Sequence, residues 1–131
     1  MKRISCLLLT VAVLASATSC SKEKDATPAG PKEYQVAYRI SSSTLAQSDF
    51  VSYTNDAGGT TILNNVALPA SYSFKRTMKQ GDHVNVAASI GSSAPAASDI
   101  TASILLDGKE VKKETSRGAG AQVAPTYVIG E

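Results

Sequence analysis

From residue 34 onward the chain alternates between apolar and polar positions. Tyr34, Val36, Tyr38 and Ile40 interleave with Gln35, Ala37 and Arg39, which is the period of a half-buried strand. Ser41, Ser42 and Ser43 end that run. A second strand is predicted over 50–54, with Val51 and Tyr53 on one face. Asn55-Asp56-Ala57-Gly58-Gly59 reads as a turn, because Asn, Asp and Gly tolerate positive φ. A third strand covers 60–68 and stops at Pro69, which has no amide proton to give a ladder.

The same alternation continues over 71–78, with Tyr72 and Phe74 inward and Ser73 and Lys75 outward. Gln80-Gly81-Asp82 turns the chain into a fifth strand, 83–90, whose buried face is Val84, Val86, Ala88 and Ile90. A Ser- and Ala-rich loop with Pro95 fills 91–99. Ile100, Ala102, Ile104 and Leu106 form the inner face of a sixth strand, which leaves Leu105 outward. Asp107-Gly108 between alternating runs is the strongest turn signal, and a two-residue loop of this kind calls for a type I′ hairpin. That register sets Ile104 opposite Val111. A last strand is predicted over 122–129. Short strands, frequent turns and no helical period predict an all-β domain, an antiparallel β-sandwich of about seven to eight strands, with a small barrel as the alternative.

Two groups of these residues resemble a known family. Val51-Ser52-Tyr53-Thr54-Asn55-Asp56-Ala57-Gly58 is followed by Leu68-Pro69-Ala70-Ser71, and later by Ile104-Leu105-Leu106-Asp107-Gly108-Lys109-Glu110-Val111. Their order and spacing are similar to the extracytoplasmic domain of the mycobacterial membrane protein small (MmpS) family. The resemblance implies an immunoglobulin-like sandwich and a role as accessory to an RND-type exporter. Ala70 stands where that family has Trp, Ala102 stands roughly where it has a disulfide cysteine, and Cys20 replaces its transmembrane helix.

The first 33 residues carry no such alternation. Lys2 and Arg3 precede an apolar run from Ile4 to Ala15, then small residues, then Cys20. This is the tripartite order of an export signal, and the run is too short for a bilayer span. Ala17-Thr18-Ser19-Cys20 resembles the lipobox of bacterial lipoproteins, with Ala17 where Leu is usual. The expected organisation is therefore a signal peptide at 1–19, a lipidated Cys20 with a disordered tether at 20–33, and the β-sandwich at 34–131. Two or more acyl chains, at about 0.8 kcal/mol per buried methylene, give stable anchoring. Pro28, Gly30 and Pro31 suit a spacer, and 21–33 would reach about 43 Å when extended. Lys22, Glu23, Lys24 and Asp25 resemble the charged export tags of some surface lipoproteins.

Cleavage before Cys20 changes the chemistry that remains. Of the two cysteines, Cys6 leaves with the signal and Cys20 becomes a thioether, so no disulfide or cysteine-metal site is expected. The formal charge of +2 belongs to Lys2 and Arg3; without them 11 basic residues balance 11 acidic ones. That removes the electrostatic pull toward nucleic acid.

Candidate chemistry in the domain is sparse. His83 is the one histidine, and it reads as a surface residue at a strand start. Asn55 and Asp56 offer oxygens, but no calcium-loop spacing surrounds them. Lys75-Arg76 and Lys112-Lys113 read as solvated strand faces. Tyr34, Tyr38, Tyr53, Tyr72 and Tyr127 form either a sugar platform or, for those alternating with polar neighbours, part of the core. No catalytic set, metal site or cofactor motif stands out. The reading is a non-enzymatic, lipid-anchored β-sandwich of the bacterial cell envelope, at the periplasmic or surface face of the outer membrane. Its expected contacts are the membrane through Cys20 and an envelope transporter or other envelope protein. A surface adhesion or ligand-binding module and a hydrolase are the alternatives. For a binding module, the loops at 41–49 and 91–99 are the candidate contact surfaces.

Overall fold

The computed structural model describes residues 30–131; the expected signal peptide, Cys20 and most of the expected tether lie outside them. Nine strands follow in order: β1 (Lys32–Ser41), β2 (Gln47–Thr54), β3 (Thr60–Ala67), β4 (Ala70–Met78), β5 (His83–Ser89), β6 (Asp99–Leu106), β7 (Lys109–Arg117), β8 (Gln122–Val123) and β9 (Thr126–Val128). They form two antiparallel sheets. One has the order β4-β1-β6-β7; the other has β3-β2-β5-β8, with β9 also paired to β5.

The pairing is immunoglobulin-like at its centre. β1 pairs with β4 in one sheet while β2 pairs with β5 in the other. These are the relations of strands B with E and C with F in that sandwich. The β6–β7 hairpin lies on the other side of β1, where an immunoglobulin domain has strand A.

Alternation dictates the core. Val36, Tyr38 and Ile40 of β1, Val51 of β2, Val84, Val86 and Ala88 of β5, and Ile100, Ala102 and Ile104 of β6 all lose contact with solvent between the sheets. Each buried Val or Ile contributes roughly 1.5–3 kcal/mol relative to the exposed side chain. Tyr38 crosses the interior. Its hydroxyl donates to the Thr54 carbonyl oxygen on the opposite sheet at 2.9 Å, and its ring packs on Tyr53 and Phe74 with centroids 5.5 and 5.9 Å away. Burial pushes its phenol well above the ordinary tyrosine range.

The structure corrects the sequence reading at five places. β1 starts at Lys32, two residues before the predicted edge of the domain, because Lys32 and Glu33 continue the ladder against Met78 and Thr77. β2 starts at Gln47 rather than Phe50, and Ser48 is buried there with its hydroxyl within 2.9 Å of the Phe50 carbonyl oxygen and 2.8 Å of that of Ser89. The last strand breaks at Ala124 and Pro125, since Pro125 cannot donate to the ladder. The Asp107-Gly108 turn has the expected positive φ at both residues, 51° and 79°. Two residues farther on the register slips, however: Leu105 faces Glu110, but Ile104 faces Lys112 instead of Val111. Val111 is thus an extra residue in β7, a β-bulge. Finally, Leu105 is only 4% exposed, although it lies on the outer face of its sheet between Ala37 and Glu110.

Candidate recognition pole

The ladders fix which connections share an end of the sandwich. β1 ends beside the start of β4, and β3 ends beside the start of β2. The loops 42–46, 68–69, 90–98 and 118–121 therefore gather at one pole. The turns 55–59, 79–82 and 107–108 gather at the other, together with Lys32 at the start of β1 and Ile129 near the C-terminus.

At the loop pole the backbone is closely tied. Leu68 N–H donates to Ala46 O at 2.8 Å, Gly120 N–H to Gly91 O at 2.9 Å, and Gly118 N–H to Ser98 O at 2.8 Å. Asp99, the first residue of β6, holds the loop 42–46. Its Oδ1 accepts from Ser43 N–H at 2.9 Å, Ser43 Oγ at 2.7 Å and Ser42 Oγ at 3.2 Å. The Ser43 hydroxyl, then the Ser43 amide, hold this carboxyl below the usual carboxylate range. Ser42 Oγ in turn accepts from Leu45 N–H at 2.9 Å. Ser42 and Ser43 of the serine run are thus donors to one acid.

Between the loops 42–46 and 90–98 lies an open hollow of about 280 Å³, with Leu45, Ile90 and Ala94 as apolar lining and Gln47, Asp49 and Ser93 as polar lining. Gly91 makes this possible, because a Cβ there would sit 2.5 Å from Asp49 Oδ2. Among the described residues Asp49 takes part in no ion pair. Beneath the loops the buried Ser98 hydroxyl has no partner within the described residues. The two candidate contact loops are therefore brought together, with mixed apolar and hydroxyl surface and one carboxylate between them. Sequence reasoning named the loops, 41–49 and 91–99, without singling out Asp49 or Asp99 at their ends; their neighbouring serines were the available signal.

The other singled-out residues lie elsewhere. His83 is exposed at the start of β5, at the opposite pole, and its carbonyl oxygen accepts from Arg76 Nη1 at 3.4 Å. Asn55 and Asp56 serve their own turn: Asn55 Oδ1 accepts from Ala57 and Gly59 N–H at 3.1 and 3.0 Å, and Asp56 Oδ1 from Ala57 N–H at 3.0 Å. Among the described residues no three His, Cys, Asp or Glu side chains gather to hold a metal ion. Lys75 pairs with Glu33 at 3.3 Å. Tyr53 and Tyr72 stack on each other with centroids 4.7 Å apart and pack against the core, as does Tyr34. Burial raises the Tyr72 phenol, with the neighbouring Tyr53 adding to it. Cys20, the expected lipidation site, lies outside the described residues. Comparison with known protein families and with curated proteins found no match to this chain.

Proposed function

We propose that this chain is a lipid-anchored β-sandwich of the bacterial cell envelope that supports another envelope component, an RND-type transport complex first among them, without itself catalysing a reaction. The observation that carries the reading is polarity. The strand that continues from the tether enters at one pole, and the two candidate loops meet at the other. β1 has ten residues, so it separates the poles by about 33 Å. An acyl chain on Cys20 would hold the entry pole toward the membrane and turn the loop pole toward a partner. The hollow between Leu45 and Asp49 is small and open, which suits weak contacts. Confinement to one membrane surface would strengthen them by raising effective concentration.

The test is cross-linking in intact cells. Acyl labelling is first compared in the wild type and Cys20→Ser; equal incorporation would remove the anchor. Partners recovered from the wild type are then compared with those of a chain whose loops 42–46 and 91–97 are replaced by Gly and Ser. The reading expects envelope proteins that disappear on loop replacement. Partners unchanged by it would remove the loop pole from the account.

A further inference from the structure

The outer face of the sheet β4-β1-β6-β7 carries a second feature, separate from the loop pole's hollow. The ladders align Ser71, Arg39, Ser103 and Lys113 in one row across all four strands. These residues line a groove of about 390 Å³, together with Thr101 and Glu110. Arg39 and Lys113 stand two strands apart, about 10 Å between Cα atoms, close enough for both long side chains to reach over Ser103. Ser103 lies between them, only 6% exposed although polar. The ion pairs among the described residues are Lys32–Asp107 and Lys75–Glu33, so neither cation of this row is neutralised by a carboxylate.

The bulge makes the row. In an unbroken ladder Lys112 would face Ser103, and Lys113 would point to the inner side of the sheet. The extra residue at Val111 moves Lys113 opposite Ser103 and Lys112 opposite Ile104. It also leaves Glu110 and Lys113 on the same face, where a regular strand would put them on opposite ones. Bulges recur where a side chain is re-aimed at a functional surface. Here it aims one of two adjacent lysines, and only one, at Arg39.

We propose that this groove binds a phosphate or sulfate group carried on a hydroxyl-rich ligand. Arg39 supplies a planar fork that takes two oxygens of the group, and Lys113 supplies a point charge from the other side. The Ser103 hydroxyl donates from the floor. Glu110 accepts hydrogen bonds from hydroxyls of the carrier and repels a second anion, which favours a ligand with a single oxyanion over a polyanion.

The experiment is a titration of the purified full chain in neutral detergent, read by amide chemical shifts. The probes are inorganic phosphate, glucose 6-phosphate and glucose, with phosphatidylglycerol and phosphatidylcholine vesicles as separate arms. Saturable shifts at Ser103 and Lys113 are expected with glucose 6-phosphate, weaker ones with phosphate and none with glucose. Arg39→Gln and Lys113→Gln should each weaken binding about tenfold, while Lys112→Gln should leave it unchanged. A response to phosphatidylglycerol alone, with the same dependence on Arg39 and Lys113, would identify the source as a lipid headgroup; a response to the soluble sugar phosphate would identify it as a free or glycan-borne phosphate. No saturable shift with any phosphate-bearing probe, or equal loss in Lys112→Gln and Lys113→Gln, would overturn the proposal.

Discussion

The hydroxyl of Tyr38 on one sheet donates to the carbonyl oxygen of Thr54 on the other, 2.9 Å away and sealed from solvent. The Thr54 side chain faces a different donor: its Oγ1 accepts from Asn85 N–H at 3.2 Å. This corner therefore joins β1, β2 and β5 by polar bonds inside an otherwise apolar interior. Tyr38→Phe keeps the ring and leaves the Thr54 carbonyl without that partner. It should destabilise the domain by about 1–3 kcal/mol, the cost of an unsatisfied buried acceptor. Urea unfolding of the two proteins measures this, and an unchanged midpoint would show the bond to be dispensable.

The turn at Asp107 and Gly108 separates backbone cost from crowding. A Cβ on Gly108 would meet nothing within 4 Å, so only its φ of 79° opposes substitution. Gly108→Val should cost about 1–3 kcal/mol and Gly108→Ala less, because a β-branched residue tolerates positive φ worst. Thermal unfolding of the pair checks that order.

Ile104 and Leu105 point to opposite faces, yet both are buried, at 0% and 4% exposure. Truncation to Ala should therefore cost about 2–5 kcal/mol at either site, rather than sparing Leu105 as alternation alone suggests. Ile104→Ala should stand at the upper end, since its cavity opens within the core between the sheets. A cost for Leu105→Ala below about 0.5 kcal/mol, the scale of ordinary surface substitutions, would contradict its burial.

Acid should release both poles in the same range. The carboxyls of Asp99 and Asp107 are held below their ordinary value of 3.8, the first by Ser43 and the second by the Gln35 amide and then Lys32. A depressed folded value means that the contribution is fully present above the unfolded one and is lost as pH falls through the folded one. The Ser43 and Gln35 amide shifts should thus titrate with midpoints below 3.8. Midpoints at or above that value would show that the bonds fail to favour the charged form.

Much of this architecture was legible because the side-chain period is two wherever one face is buried. Val84, Val86 and Ala88, like Ile100, Ala102 and Ile104, announce their inner face directly. Asp107 and Gly108 announce the hairpin by their tolerance of positive φ. The bulge was hidden for the converse reason. β7 is an edge strand with Lys109, Glu110, Lys112, Lys113 and Glu114 on both faces, so a slip of one residue leaves no mark on the hydrophobic pattern. The early start of β2 was hidden because its buried Ser48 is polar, satisfied by backbone carbonyls that only the folded sheets bring near. The convergence of the two loops and the row across the outer sheet depend on strand order, which local alternation does not encode.

The placement of Lys32 and Ile129 at the same pole has a practical consequence for engineering. A reporter fused after Glu131 would emerge at the pole where β1 begins and leave the loop pole unobstructed. Insertions into 92–97, in contrast, would lengthen the connection between the tied residues Gly91 and Ser98 without drawing on any ladder. The start of β1 and the loops that can be varied thus lie at different ends of the same strands.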